Sequence, residues 1–557
     1  MLSKRWIEPN PEHGWGDPGG YTPIQQAILT SRGVQSAPEA DRFLSRRHPG
    51  SRDPFLLTDM SAAVDRLRVA QAGGQTVVVY GDYDADGVSA TVLLYEALLA
   101  QSFAAGWYIP DRFEEGYGLN VAAMFKLRSE GADLIVSVDC GIRSFEAAAA
   151  ARQLGLDLII TDHHLPADEL PPAMAVVNPN RESDLYPFKG LSGVGVAYKL
   201  AEALRQAGGG EPPVLGLDLV AVGTVADLAP LQDENRTLVA AGLDLLNSGA
   251  RPGLQALAER AGLAPGRITA TALGFSLGPR LNAAGRLASA GEAVKLLLAK
   301  PGPEAAQWAE NLDRLNRERQ RLTSEMLDQA KRGFSSIPPA GNLIVAADPS
   351  FHEGVVGLVA GRLADEFHRP ALVARIQADM IRGSARSIPE FHITGALDEC
   401  ADLLERFGGH AAAAGFGLEA ANWEAFIQRM DRIAGAALDG RDLRPTLSMD
   451  AVLGFDQLTD DLMDFIEKLE PCGEGNPHPR FSSRRVAVLS KRAVGADRKH
   501  LKLALHQADR VFDAIGFNLG ERVAEIPRTV DLAYRLDRNE YRGVVSLQLV
   551  VEDLRPS

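Results

Sequence analysis

The chain of 557 residues is short of three things. It has only three cysteines, Cys140, Cys400 and Cys472, and no C-x-x-C pair, which excludes a zinc ribbon and argues against a disulfide framework. No run of eighteen apolar residues occurs, and the opening stretch MLSKRWIEPNPEHGWGDPGG lacks the apolar core of a secretory signal. A membrane span and export are therefore not expected, and the cytoplasm is the expected compartment. Positive charge is also in deficit, with a net −15, which argues against indiscriminate coating of nucleic acid. A global sum does not exclude a local basic track, or a site whose acids are neutralised by metal.

What is abundant is alternation of strand and helix patterns. From about 70 to 230, short β-rich runs such as DLIVSVD (133–139), LDLIITD (156–162) and MAVVNP (174–179) are followed by turn residues or helical patterns. This predicts a doubly wound parallel sheet. Between 303 and 333, Trp308, Leu312, Leu315, Leu322 and Met326 recur at three- and four-residue steps. They predict one connecting helix of roughly 45 Å. A second alternating region begins at NLIVAAD and runs to about 435; from about 446 five or six strands with little helix predict a small barrel, with an OB-fold the best match. The expected fold is thus α/β, with two α/β domains joined by a long helix and followed by an all-β barrel. The boundaries are 1–50 for an N-terminal segment carrying the basic run RFLSRRHPGSRD, 51–300, 301–335, 336–440 and 446–557.

The stretch VYGDYDADGV (79–88) places Asp82, Asp84 and Asp86 at alternate positions before Gly87. The calcium-loop pattern also demands a glutamate at its twelfth position and a preceding helix. Here the twelfth residue is Leu93, and the preceding Gln75–Tyr80 run reads as a strand. Acids at the carboxyl end of a parallel strand lie instead where ligands gather in α/β sheets. A solvated acidic turn is the alternative. Asp139 ends the next strand, Asp162, His163 and His164 the one after, and Asp227 lies in the hydrophobic segment VAVGTVADLAP. Singly, Asp139 or Asp227 also reads as a helix N-cap or an ion-paired acid. Converging in one crevice, so many carboxylates repel one another unless cations sit between them. Oxygen-rich ligands with one or two imidazoles suit Mn²⁺ or Mg²⁺. Two ions about 4 Å apart, bridged by a carboxylate, suit in-line phosphoryl displacement, the chemistry of phosphoester hydrolysis.

GDYDADG, VDCG, TDHH and ADLAP, in this order, resemble the four motifs of the DHH phosphoesterase superfamily. GPRLNAAGRL (278–287), HEGVVGLVAGRL (352–363), RGSARS (382–387), FGGHAAAAGF (407–416) and CGEGNPHPRF (472–481) resemble the RecJ branch with its DHHA1 domain, so that the resemblance covers nearly the whole chain. It implies a 5′ to 3′ exonuclease on single-stranded DNA that uses two divalent cations and serves recombination and mismatch repair. Asp84 and Asp86, together with Asp82, would ligate the metals, with Asp139 bridging them and His163 and Asp227 completing the shells. His164 would touch the scissile phosphate, though it also suits a supporting role beside the ligands.

Arg112, Arg280, Asn282 and His410 match substrate-facing positions of that family. Read alone, Arg112 is a surface arginine or a substrate contact, Arg280 a phosphate contact or a structural ion pair, and the His410 loop a packing element. Ser384 and Arg386, aided by Arg112, suit the doubly charged 5′ phosphate, or else form a tight turn. Residues 480–502 carry eight Lys/Arg against one acid, and Arg484, Arg485, Lys491 and Arg492 are the expected backbone track, with a solvated face as the alternative. The implied partners are single-strand-binding protein and a RecQ-type helicase. Two alternatives within the superfamily are a small-substrate phosphodiesterase and a non-catalytic scaffold. The barrel speaks against the first and the complete ligand set against the second.

Overall fold

Strand β1 (Thr76–Gly81) is a β-branched run buried on both faces, the pattern of a strand inside a helix-covered parallel sheet. The computed structural model describes residues 4–9, 15–45, 52–116, 118–210, 216–249, 251–334, 341–541 and 543–557. Residues 46–51, half of the basic run near the N-terminus, fall outside them. With β2 (Ala104–Tyr108), β3 (Leu134–Val138), β4 (Asp157–Thr161) and β5 (Ala175–Val177), β1 forms a five-stranded parallel sheet ordered β2-β1-β3-β4-β5. Helices α1 (Ala85–Ala100), α2 (Phe145–Gln153), α3 (Gly193–Ala207) and α4 (Leu217–Ala226) belong to the same domain. The chain leaves β1 toward β2 on one side and returns to β3 on the other, so a crevice opens beyond the carboxyl ends of β1 and β3. The acidic motifs follow those two strands.

Two units divide the chain. One holds residues 6–282, 289–312 and 448–557, and the other is built principally from 313–447. In the first unit the barrel strands are β11 (Phe481–Val494), β12 (His500–Gln507), β13 (Arg510–Gly516), β14 (Thr529–Tyr541) and β15 (Val544–Pro556). They run in the order β11-β12-β13-β15-β14, and β14 pairs back onto β11 to close the barrel. Alternate residues such as Leu501, Leu503 and Leu505 point inward onto Phe481, Tyr534 and Leu549. Arg236 fastens the barrel's entry segment, donating to the carbonyls of Leu469 at 2.6 Å and Pro471 at 3.1 Å.

The long helix α5 (Pro303–Arg332) runs from the first unit into the second. There β6 (Ile344–Asp348), β7 (Ala371–Gln377), β8 (Met380–Arg386), β9 (Arg406–His410) and β10 (Ala413–Glu419) form a sheet ordered β9-β10-β8-β7-β6. Only β6 and β7 are parallel. Helices α6 (Val356–Phe367) and α7 (Trp423–Leu438) complete this unit. The architecture is the expected one: two α/β domains, a long helix between them in sequence, and a closed five-stranded barrel. The three cysteines are free and buried. Among the described residues no helix is long and apolar enough to cross a membrane.

Candidate active site

The crevice is assembled from turns that hydrogen-bond one another. Asp84 caps α1, its Oδ1 accepting from the amides of Asp86 at 2.9 Å and Gly87 at 3.0 Å. Gly87 is required by close approach, since a Cβ there would stand 2.7 Å from the backbone of Asp82. Both oxygens of Asp86 accept backbone amides at the start of α3, Gly193 at 2.7 Å and Val194 at 2.9 Å. Asn282 Oδ1 accepts from Ala85 N at 2.7 Å, so its carbonyl holds the acidic turn. Asp139 adopts φ 61° at the end of β3, and a Cβ on Gly193 would lie 2.3 Å from its carboxylate.

Asp162 organises the third motif. Its Oδ1 accepts from the amides of His163 at 2.7 Å and His164 at 3.1 Å and lies 2.7 Å from His164 Nδ1, while its Oδ2 accepts from Ile142 N at 2.9 Å. From the end of β5, Asn178 and Asn180 donate to the carbonyls of His164 at 2.9 Å and His163 at 2.5 Å. Neither asparagine, nor Asp162 as the group that orients His164, was assigned a role from sequence; the signals present were NPN after a strand and an acid directly before two histidines.

The sequence grouped Asp227 with acids at strand ends, and the structure corrects this: it is the C-cap of helix α4. Its carboxylate still reaches the crevice, with Oδ2 3.8 Å from His163 Nε2.

Of the buried side-chain atoms without a hydrogen-bond partner among the described residues, three belong to the ligand candidates of this crevice: Asp82 Oδ1, Asp139 Oδ1 and His163 Nε2. The last two are 3.1 Å apart. An orphaned carboxylate oxygen beside an orphaned imidazole nitrogen is costly to bury in a protein alone and natural for two ligands of one cation. Asp82, Asp84 and Asp139 bring ligand atoms within 4.8 Å of one another, as do Asp86, His163 and Asp227. These hydrogen bonds reshape the expected roles in the first motif, because Asp82 carries the unsatisfied oxygen whereas Asp86 is anchored to α3.

The electrostatics agree with the geometry. Burial, and then the charge of Asp84, push Asp82 well above the usual carboxylate range. Burial followed by Asp86 does the same to Asp139. Asp86 is raised to about 7 by burial and Asp84, and Asp227 to about 9 by burial and Asp86. Burial lowers His163 to about 4, which keeps its imidazole neutral. The Leu191 backbone acts upward on the same ring but is outweighed by burial. For His164 burial acts downward but is outweighed by Asp162, so the ring is raised to about 9. Asp162 itself is lowered, because His164 outweighs the effect of burial. The crevice therefore offers oxygen ligands, one neutral imidazole and an adjacent cationic imidazole, a set that fits Mn²⁺ or Mg²⁺ and a phosphate.

The remaining expected residues are dispersed. The Arg112 guanidinium lies 4.8 Å from the ring centroid of Tyr83, in the acidic turn. Arg280 Nη1 donates to Ser276 O at 2.8 Å. In the second unit, Ser384 and Arg386 share one face of β8, with Arg386 Nη1 donating to Ser384 Oγ at 2.7 Å. Gly357, in the first turn of α6, is so close that a Cβ there would lie 2.9 Å from Arg386 Nη2 and 3.1 Å from Ser384 Oγ. His410 is exposed, with its Nδ1 accepting from Ala412 N at 3.3 Å.

On the barrel, Arg484, Arg485, Lys491 and Arg492 are all exposed. Several cations of this run are already paired: Arg480 with Glu552, Arg484 with Glu8 at 2.6 Å, Lys499 with Asp497 at 3.0 Å and Lys502 with Asp513 at 3.1 Å. The basic face is thus less open than its sequence suggests.

Three family models match: the DHH family N-terminal domain over 76–224, the DHHA1 domain over 340–436 and the RecJ OB domain over 449–553. The chain is 39% identical over 536 residues to the single-stranded-DNA-specific exonuclease RecJ of Bacillus subtilis, an alignment covering 96% of this chain and 68% of that protein. With the Escherichia coli protein of the same name it is 37% identical, with 97% of each chain covered. The crystal structure of Thermus thermophilus RecJ in complex with Mn²⁺ superposes with a TM-score of 0.86 at 31% identity, covering 99% of this chain and 80% of that one. Its Mg²⁺ complex gives 0.79 at 30% identity, with coverage of 99% and 78%. Taken with a crevice whose orphaned ligands call for divalent cations, these likenesses establish that the chain belongs to the RecJ family of single-stranded-DNA-specific exonucleases.

Proposed function

We propose that this protein hydrolyses single-stranded DNA from its 5′ end and releases mononucleotides. The observation that carries the reading is the trio of buried, unpartnered ligand atoms on Asp82, Asp139 and His163 at the switch point of the sheet. Asp82, Asp84, Asp139, His163 and Asp227 would hold the two cations, with Asp139 shared between them and Asp86 as a further ligand that also ties the site to α3. When bound, the cations supply an activated water and neutralise charge developing on the attacking and leaving oxygens. Asp162 orients His164, whose exposed side donates a charged hydrogen bond to the scissile phosphate. Arg112 adds a phosphate contact and Arg280 another, while the Asn282 carbonyl keeps the acidic turn in place. His410 belongs to the substrate-facing surface of its own unit. The catalytic domain is assigned to 51–300, the linking helix to 301–335, the second α/β domain to 336–440 and the strand-binding barrel to 446–557. Single-strand-binding protein and a RecQ-type helicase, as suppliers of exposed strands in recombination and mismatch repair, are the proposed partners. The deciding experiment is digestion of strands labelled at either end: the 5′ label should leave first, as a mononucleotide, and prior release of a 3′ label overturns the polarity.

Polarity is assigned to Ser384 and Arg386. A serine hydroxyl, a guanidinium and the first turn of a helix meet there, and together they suit a terminal phosphate. Arg386→Ala should lower activity on 5′-phosphorylated strands by about ten- to a hundredfold, the effect of roughly 1.5–3 kcal/mol for a lost charged hydrogen bond. Strands ending in a 5′ hydroxyl should suffer far less, and an equal loss on both substrates would remove the end-anchoring role.

The barrel is assigned the backbone track. Replacing Arg484, Arg485, Lys491 and Arg492 with Gln should weaken binding of long strands and flatten its salt dependence by roughly 0.7 per lost phosphate contact. Arg484 contributes only by exchanging Glu8 for a phosphate, so its single variant should change the slope least of the four. If the quadruple variant keeps the wild-type salt slope, the track lies elsewhere.

A further inference from the structure

Phenylalanine is normally a core residue, yet Phe275 is 84% exposed. One exposed apolar side chain needs no explanation, but this one has company and an unusual backbone. It sits in the middle of a π-helical turn, Leu273–Leu277, and such turns are frequent at functional sites. The turn packs on the end of α4: a Cβ on Gly274 would be 3.6 Å from Val225 Cγ1, and one on Gly278 3.1 Å from Ala226 Cβ. Just past that helix end comes Asp227 and then Leu228, itself 69% exposed and held at φ 60°. A leucine in the left-handed region is strained, so the fold holds this side chain outward at some cost.

The surroundings of this turn define a path. Thr271 Oγ1, one turn before Phe275, lies 3.3 Å from His478 Nε2 in the segment that enters the barrel. Asn282, two turns after it, holds the amide of Ala85 in the acidic turn. The helical run from 271 to 282 therefore spans the distance from barrel to metal ligands, about 16 Å at 1.5 Å per residue. Phe275 stands between the two. Arg280 reaches back along the same run to the carbonyl of Ser276. An exposed ring on the same helical run as a guanidinium is a combination that suits a single strand, the ring stacking on a base and the cation meeting the backbone.

We propose that Phe275 is a base-stacking residue that positions the substrate strand between the barrel and the metal ligands, with Leu228 flanking it. The inference rests on the single-strand nuclease reading above. Because every base has a π face, such a contact supports affinity without sequence preference. A protein partner docking on the same ring is the competing occupant, and the same assay rejects it.

The test is steady-state digestion of 5′-phosphorylated strands with Mn²⁺ by Phe275→Ala, Phe275→Leu and Phe275→Trp. Stacking predicts that Ala and Leu raise KM by about tenfold while Trp stays within about twofold of wild type. On strands in which a run of abasic residues follows the first few nucleotides, wild type and Phe275→Ala should coincide. A wild-type KM in Phe275→Ala, a Leu variant as good as Trp, or a penalty that persists on abasic strands overturns the stacking role. Wild-type enzyme that leaves every strand intact overturns the nuclease reading, and this inference with it.

Discussion

Asp139→Ala is expected to lose at least two to three orders of magnitude in the rate of strand hydrolysis, the equivalent of about 3–4 kcal/mol of transition-state stabilisation. Asp139 ends β3 beside β1, 3.1 Å from His163, with an oxygen that has no partner in the protein. Removing it takes away a carboxylate that lies within reach of both Asp82/Asp84 and His163. The fold should survive, because the metal-free crevice loses a buried acid whose neighbours repel it. At φ 61° alanine is less comfortable than aspartate or asparagine, so Asp139→Asn is the cleaner variant. It should be equally inactive with a melting temperature at or above that of metal-free wild type. Near-normal turnover of either variant with Mn²⁺ present would falsify the bridging role.

Much of this site was legible in the sequence because its ligands sit at the ends of strands whose β-branched runs announce themselves. Asp82, Asp84, Asp139 and His163 were singled out in that way, and the structure places them in one crevice. What could not be read was contact at long separation. Asp86 meets Gly193 and Val194 more than a hundred residues away, and Asn282 meets Ala85 almost two hundred away. Both depend on strand order and helix placement, which no local pattern encodes. Asp227 illustrates the same limit, since an apolar segment of that length reads as strand or helix until packing decides.

The barrel shows the two sides together. Its five strands follow from period-two alternation, and its closure through β11 and β14 from nothing local. Its basic run is plain in the sequence, whereas the acids that neutralise part of it, Glu8, Asp513 and Glu552, lie on other segments and were invisible until the chain folded. Phe275 was passed over for a related reason: within LGFSLGPRLN it reads as an ordinary core aromatic, and only its exposure marks it out.

Stripped of metal, the protein should lose stability as the pH rises from 6.5 to 9. Asp82, Asp86, Asp139 and Asp227 all have folded-state pKa values above the ordinary 3.8, so the folded chain binds their protons more tightly than the unfolded chain does. Their contribution is complete below about 4 and disappears as the pH passes the folded values, about 7 for Asp86 and about 9 for Asp227. For Asp86 alone the rise from 3.8 to about 7 corresponds to on the order of 4 kcal/mol, nearly all of it lost between about pH 4 and 7, so the fall above pH 7 is carried by Asp227 and the other groups still protonated there. His164, raised to about 9, loses its contribution in the same window. His163, lowered to about 4, acts in the opposite direction only below its ordinary 6.5. Cations need the deprotonated carboxylates, so Mn²⁺ should displace protons and restore what alkaline pH removes. At about 100 times Kd it adds about 2.7 kcal/mol, or roughly 3–5 °C in melting temperature for a unit of this size, with proton release greatest near neutral pH and less at pH 9. Asp227→Asn should flatten the alkaline limb of the metal-free profile. Scanning calorimetry with and without chelator reads both effects, and a metal-free melting temperature that stays level from pH 6.5 to 9 would show that these carboxylates do not share the crevice as described.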